Sequence, residues 1–428
     1  MDASSQRDLR DYGDASTVGR LAQLERRTLL GVDVGLETQR GVNTQLNFTP
    51  LAAGWLRPRA TLATAFTLSR DPNARTPVRT IGDTAGEFRL PTAFSNLQRL
   101  DLGARIDMRR LGQALFGDSG KAVTWLGRIT GVDLAASRTR ASNFSRTGFV
   151  PALGYQVPWG GLDGFRSVGG IKASSASYLV NVSAATGATL PLGLRTSLTY
   201  QHTNGVTRIL RGTDQVPLRT HSTEWPSGSL SWAFSPPRGS IARLLQNISA
   251  QLSFRTRQNA SDQASFSSQP TGGAQSSGTD RTLTPSVSLL WLHGILTSFD
   301  RSVTSGDQRS AGNQFKNRRT QQNAALTFAF RPPASVLRLK TDIRTTARWT
   351  VATGTSCIQS PGRETCVPYV DSRQSQAQLT MDTDFPPTMS AGLQMAYLVN
   401  EERQINRKTA QLVITAFVQL NTSVGQIR

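Results

Sequence analysis

Residues whose types and spacing could support chemistry are few in this sequence. The three histidines, His202, His221 and His293, lie apart and have no partner residues in the pattern of a catalytic or metal site. The hydrolase pattern Gly-x-Ser-x-Gly, the phosphate-binding pattern Gly-x4-Gly-Lys and the metalloprotease pattern His-Glu-x-x-His are all missing. The sequence therefore predicts no enzymatic activity, no cofactor and no metal.

Two pairs of carboxylates are the remaining candidates. Asp382 and Asp384 are two residues apart, and Asp101 and Asp107 are six apart, so each pair would share one face of a β-strand. A catalytic or ion-binding pair is one interpretation. The other is that these carboxylates balance neighbouring arginines on a wetted strand face, and the alternation of the surrounding residues favours it.

The two cysteines, Cys357 and Cys366, enclose a turn-forming segment in SCIQSPGRETCVP. A disulfide between them would close a small loop and stabilise the fold by about 2–3 kcal/mol. It would also indicate an oxidising compartment. The sequence predicts this disulfide, and two unpaired loop thiols are the alternative.

The element that organises the chain is the stretch VLRLKTDIRTTARWTV, residues 336–351. Apolar or small residues alternate strictly with charged and polar ones, which predicts a β-strand. At ~3.3 Å per residue, the strand is long enough to cross a tilted hydrocarbon layer of ~30 Å. The segment 99–110 repeats the pattern, so the sequence predicts an all-β, antiparallel transmembrane β-barrel with about 14–16 strands, part of a larger barrel.

The alternation assigns side chains to two environments. Arginine or lysine facing lipid at the midplane costs ~2–4 kcal/mol, so the charged face of each strand must line the barrel interior. The predicted lumen-lining residues are Asp101, Arg105, Asp107, Arg109, Arg255, Arg338, Lys340, Asp342, Arg344, Arg348, Asp382 and Asp384. The predicted lipid-facing residues are Leu100, Leu102, Ile106, Leu339, Ile343, Trp349, Leu379 and Met381.

Two regions follow from this pattern. Residues 1–27 are predicted to be a polar connecting segment, and residues 28–428 to form strands joined by turns and long polar loops. The predicted loops cover residues 71–95, 140–171, 258–281, 298–321 and 352–374. No apolar run of 18 residues occurs, so no transmembrane helix is predicted.

The net charge of +20 and the pI of about 11.3 first indicate nucleic acid as a partner. All but five of the 48 lysine and arginine residues are arginine, and they are scattered along the whole chain. The sequence has no basic helix, zinc spacing or RNA-binding aromatic pattern. It therefore predicts no nucleic-acid partner, and a membrane partner instead.

Several segments in the middle of the chain follow a recognisable order. VPWGGLDGF (157–165) and ASSASYLVNVS (173–183) come first, then LRTSLTYQHTNGVTRIL (194–210) and LSFRTRQN (252–259). This run resembles the C-terminal part of the SprA family, the large outer-membrane barrels that form the translocon of the type IX secretion system. The resemblance implies a protein-conducting channel in the bacterial outer membrane, with secreted proteins as substrates and with plug and shuttle proteins as partners.

Other functions remain open at this point. A barrel with a wet interior is also typical of a generic porin or a ligand-uptake channel. A secreted or cell-surface β-rich adhesion protein is a candidate from a different class. The first residues, MDASSQRDLRDYGDAS, have no signal-peptide pattern, and we expect the chain to be a fragment of a longer outer-membrane protein.

Overall fold

The chain forms one large antiparallel β-sheet in a computed structural model. The sheet has sixteen strands, and each pairs with its neighbours in chain order. Antiparallel neighbours need only a turn or loop between them, which suits this up-and-down order. The prediction of an all-β, antiparallel fold with about 14–16 strands is confirmed. The structure describes residues 1–10, 17–29, 31–50, 52–71, 78–79, 88–118, 120–157, 163–236, 244–263, 274–310, 312–331, 341–385 and 389–420.

The sixteen strands are long, and most have 13–21 residues. In order they are β1 Asp2–Asp8, β2 Leu36–Phe48, β3 Leu56–Arg70, β4 Thr92–Ile106, β5 Ile129–Thr147, β6 Ser175–Thr189, β7 Arg195–Arg211 and β8 Asp214–Phe234. The second half contains β9 Leu245–Gln263, β10 Ala274–Trp291, β11 Leu296–Ser310, β12 Asn313–Phe330, β13 Ile343–Gln359, β14 Val367–Phe385, β15 Met389–Glu402 and β16 Arg407–Leu420. Within the described residues, β1 pairs only with β2, and β16 pairs only with β15.

Helices and small hairpins occupy the connections between strands. The helices are α1 Thr17–Leu24, α2 Met108–Phe116, α3 Lys121–Leu126, α4 Leu153–Gln156 and α5 Asp163–Arg166. Three two-stranded hairpins pair Thr28–Leu29 with Val32–Asp33, Val78–Arg79 with Phe88–Arg89, and Ser167–Val168 with Ile171–Lys172. Over the described ranges, none of the helices has the length and apolar character needed to cross a membrane.

Three predicted loops are wrong, because strands occupy most of them, and two others are shortened at one end. Residues 298–321 were predicted to be a polar loop, yet they belong to β11 and β12, which a short turn joins. Likewise, β9 and β10 extend into 258–281, β13 and β14 into 352–374, β5 into 140–171, and β4 into 71–95. In the parts that belong to β9, β10, β11 and β12, both faces of the strands are mostly polar, so the alternation that marks a strand disappears from the sequence.

Two further boundaries differ from the prediction. The connecting segment 1–27 contains β1, which joins the sheet at the polar end of β2, from Leu36 to Asn43. The predicted strand over 99–110 ends at Ile106. The Asp107 side chain accepts a hydrogen bond from the Arg110 backbone N–H at 3.1 Å and caps α2, a role that carboxylates favour.

The sheet has one apolar face and one polar face. Trp349, Ala324, Phe299 and Val287 lie opposite one another on successive strands, and their side of the sheet is named here the apolar face. The other side, which carries Arg348, is named the polar face. The apolar face also exposes Leu46, Phe48, Leu102, Leu134, Val182, Leu198, Phe234, Leu283, Leu326, Phe330, Leu393, Tyr397, Leu412, Ile414 and Val418.

A buried aromatic cluster holds the connection between β5 and β6 against the sheet. Phe66, Phe94 and Phe144 are at most 2% exposed, and Tyr155 of α4 packs edge-on against all three rings. Burying an aromatic side chain of this size stabilises the fold by about 1.5–3 kcal/mol. The Tyr155 hydroxyl lies 2.6 Å from the Ser142 hydroxyl, and Asn96 donates a hydrogen bond to the Tyr155 carbonyl. These contacts fix α4 at the polar end of the strands.

Burial raises the pKa of Tyr155 to about 12, while its hydrogen bond with Ser142 opposes the shift. The unfolded chain ionises this phenol near pH 10, so the folded state gains stability below pH 10 that is lost as the pH rises toward 12. We predict that absorbance titration at 295 nm, wild type minus Tyr155→Phe, places this one ionisation near pH 12. If Tyr155 ionised with the other tyrosines near pH 10, the buried position would be wrong.

The loop between β13 and β14 is closed by a disulfide between Cys357 and Cys366, whose Cα atoms lie 5.5 Å apart. No cysteine remains free. The cross-link joins two strands at their turn and restricts the unfolded chain.

We predict that replacing both cysteines with serine lowers the free energy of unfolding by about 2–3 kcal/mol, because the unfolded chain then regains the freedom of the open loop. Urea unfolding of the wild type with and without reductant measures the same difference. Since the serine variant has no thiols, reductant should leave its unfolding curve unchanged. An oxidised protein no more stable than the serine variant would contradict the prediction.

Candidate functional site

The polar face of the sheet is the candidate functional site, because it concentrates the charged and hydrogen-bonding side chains of the strands. Small hydroxyl residues cover much of it, and neighbours bond to each other, as Ser197 and Ser229 do at 2.7 Å between their hydroxyl oxygens. Small polar side chains leave space above the sheet and keep the surface wet. This surface suits contact with water or a polar solute.

The strongest charge cluster on this face joins β13 and β14. Arg344 lies directly opposite Asp382 in the antiparallel ladder. Its guanidinium reaches the Asp382 carboxylate at 3.0 Å and the Asp384 carboxylate at 2.6 Å. The Arg344 side chain is 55% exposed, so water screens the ion pairs and each contributes at most about 1 kcal/mol. The cluster therefore sets the local charge of the face more than its stability.

Other ion pairs on the polar face follow the same arrangement. Arg99 contacts Asp101 at 2.8 Å, Arg255 contacts Glu224 at 2.5 Å, and Arg105 lies 3.9 Å from Asp133. The first pair lies along one strand, while the other two bridge neighbouring strands. Charges of both signs are thus distributed across the face.

The structure places most of the predicted lumen-lining residues on the polar face. Those in its strands are Asp101, Arg105, Arg255, Arg344, Arg348, Asp382 and Asp384. Asp107 and Arg109 are corrections, because the strand ends before them and they belong to the cap and first turn of α2. Asp342 precedes β13 and pairs with Arg331 at 2.9 Å. Arg338 and Lys340 lie outside the described residues.

The predicted lipid-facing residues lie together on the opposite face. Those within described strands are Leu100, Leu102, Ile106, Ile343, Trp349, Leu379 and Met381, all on the apolar face. Leu339 lies outside the described residues. The assignment of these residues to lipid remains a prediction.

Several charged residues of the polar face were not predicted from the sequence. Glu224 and Asp133 complete ion pairs, and Asp300 accepts a hydrogen bond from Asn323 at 2.7 Å. Asp300 also lines a groove of about 500 Å³ with Arg195 and Gln251. A bulge in β8 shifts the register around Glu224, which breaks the simple alternation there. Asp300 could have been predicted, because Ser298, Asp300 and Ser302 are polar at every second position, as on one face of a strand. The segment was instead predicted to be a loop.

The chemistry of this face is that of a solvated surface. Among the described residues, no group of three or more histidine, cysteine or acidic side chains could hold a metal ion. In their ion pairs the side chains of Asp101, Asp382 and Asp384 are 34–59% exposed and therefore solvated, whereas that of Glu224 is 17% exposed. The arrangement can attract and orient hydrated solutes.

Comparison with solved structures shows a weak structural likeness. No family model matches the sequence, and no curated protein matches it either. The crystal structure of the ferric yersiniabactin uptake receptor FyuA from Yersinia pestis is similar with a TM-score of 0.31 and 13% sequence identity. The match covers 86% of this chain and 61% of the receptor chain, so the chain spans less than two thirds of that receptor.

We predict that Arg344→Gln lowers the free energy of unfolding by less than about 1 kcal/mol, because its ion pairs are exposed. Urea unfolding measures this directly. Combining it with Asp382→Asn in a double-mutant cycle should give a coupling energy of similarly small size. A loss of more than about 3 kcal/mol would indicate a desolvated ion pair and would contradict the wet character of this face.

Proposed function

We propose that this protein is an outer-membrane β-barrel whose polar face lines an aqueous passage. The observation that carries the proposal is the apolar face, where large side chains remain exposed across most of the sheet. Trp349, Phe299 and Tyr397 are each 46–48% exposed. Soluble monomers rarely expose continuous apolar patches of more than a few hundred Å². The hydrocarbon chains of membrane lipids can cover such a surface.

The height of the apolar band supports the same proposal. On β10 the apolar face runs from Leu283 to Trp291, and the residues of β11 opposite Leu283, Val287 and Leu289 are Val303, Phe299 and Thr297. Nine residues extend ~27 Å along a strand, and a tilt of ~40° reduces this to ~20 Å. Outer-membrane barrels present an apolar band of about 25 Å. Beyond this band, β9 to β12 continue with mostly polar residues on both faces.

The passage is proposed to carry polar solutes and to perform no chemistry itself. Its support is the mixed charge and the small hydroxyl side chains of the polar face. Solute or ligand uptake fits this surface without further assumptions. Protein conduction of the SprA type rests on the resemblance of residues 157–259 alone, and the family and sequence comparisons add nothing to it. Secreted proteins, plugs and shuttles are therefore not part of the proposal.

One pair of neighbouring substitutions tests the proposal. Ala347 lies on the apolar face between Leu326 and Leu379, whereas Thr346 points to the polar face of the same strand. We predict that Ala347→Arg blocks assembly, because an arginine facing lipid costs ~2–4 kcal/mol, and that Thr346→Arg is tolerated. Heat-modifiable gel mobility and co-sedimentation with outer membranes measure assembly.

The two variants introduce the same side chain one residue apart, so each is the control for the other. A cell-surface adhesion protein would tolerate both, and it would not show heat-modifiable mobility. If both variants assembled equally well or equally badly, the assignment of the two faces would be wrong.

A further inference from the structure

Five cations form a basic patch on the apolar face of three adjacent strands. The basic patch consists of Arg281 on β10, Arg301 and Arg309 on β11, and Lys316 and Arg318 on β12, and all five side chains are exposed. Arg281 and Arg318 lie on either side of Ser305 in the ladder. Strands ~4.8 Å apart place their backbones about 10 Å from each other. The patch is therefore small enough for one ligand to contact several cations.

The patch lies at the edge of the apolar band. Leu283 and Val303 form the last apolar row, and the row that contains Arg281 and Arg318 follows immediately. Arg309 and Lys316 lie further from the band, while Arg301 lies one row inside it. At this height, under the proposed function, the lipid hydrocarbon ends and the headgroups begin.

Within the described residues, the cations of the patch outnumber the single carboxylate beside them, Asp307, which lies opposite Lys316 in the ladder. No ion pair joins any of the five to a carboxylate within the described part of the chain. Asp307 is the one acidic residue on the apolar face of these three strands, in the residues that the structure describes, and it accepts a hydrogen bond from Gln314 at 2.6 Å. On the polar face, by contrast, Arg255 and Arg344 each contact a carboxylate.

The space between these side chains can hold a ligand. A cavity of about 650 Å³ is lined by Arg281, Arg309 and Lys316, together with Asp307 and polar residues of β9. A second groove of about 650 Å³ lies on the apolar face further along the strands, and residues that include Leu326, Trp349, Leu379 and Tyr397 line it. A charged cavity at the edge of an apolar band matches a molecule with an anionic head and hydrocarbon tails.

We infer that the basic patch binds the phosphate-bearing headgroup of a lipid in the adjacent membrane leaflet. This rests on the proposed function, because it requires the apolar face to be in lipid. Guanidinium groups bind phosphate oxygens through paired hydrogen bonds, and clustered cations at a membrane surface attract anionic lipids. The lipid would occupy a fixed place on the barrel wall and not on its lumen side.

The test compares wild type with two triple variants of equal charge change, purified in nonionic detergent. The patch variant removes the centre of the patch and carries Arg281→Gln, Lys316→Gln and Arg318→Gln. The polar-face variant removes three exposed cations of the polar face and carries Arg57→Gln, Arg59→Gln and Arg319→Gln. Binding of phosphatidylglycerol and of phosphatidylcholine is measured by native mass spectrometry. We expect the wild type and the polar-face variant to prefer phosphatidylglycerol, and the patch variant to bind it at least tenfold more weakly.

Three outcomes would overturn the inference: equal loss of binding in both triple variants, equal binding of the two lipids by wild type, or equal binding of inorganic phosphate and phosphatidylglycerol. Co-sedimentation with membranes is measured on the same variants. If all of them sediment with membranes and lipid preference is unchanged, only this inference fails. If wild type itself does not enter membranes, the proposed function fails instead.

Discussion

The pleat of the β-strand is the constraint on which this structure depends. Successive side chains point to opposite faces, so a strand of about 15 residues presents two surfaces whose chemistry the sequence sets independently. In β13, Ile343, Ala347 and Trp349 take one face, while Arg344 and Arg348 take the other. Because antiparallel pairing keeps opposite residues on the same face, sixteen strands in sequence order extend this division over the whole sheet.

The two faces then determine where charge can lie. On the polar face, charged residues bridge strands in exposed pairs, as Arg344 does with Asp382 and Asp384. On the apolar face, cations such as Arg281 and Arg318 lie where the apolar band ends, and Arg301 lies one row inside it. The same alternating backbone thus produces a wet surface, a band suited to lipid, and a charged border beside it.

The sequence predicts the apolar band well and the rest of each strand poorly. Around Trp349 and Leu100, alternation is strict, because one face must be apolar and the other polar. In residues 298–321 both faces are polar, and composition then resembles a loop even though β11 and β12 are continuous strands there. Contacts between residues far apart in the chain cannot be predicted from the local sequence either. The ion pair between Arg255 and Glu224, for example, depends on a bulge in β8. The end of β4 at Ile106 was predictable in principle, because Asp107 is a good helix cap.

The central claim is that the two faces of one strand meet lipid and water. Spin labels introduced singly along β13 of the reconstituted protein test this most directly, by their collision rates with oxygen, which dissolves in lipid, and with a water-soluble nickel chelate. The account predicts that labels at Ile343, Ala347 and Trp349 meet oxygen, while those at Arg344, Thr346 and Arg348 meet nickel. Equal exposure of both sets to the nickel chelate would contradict it.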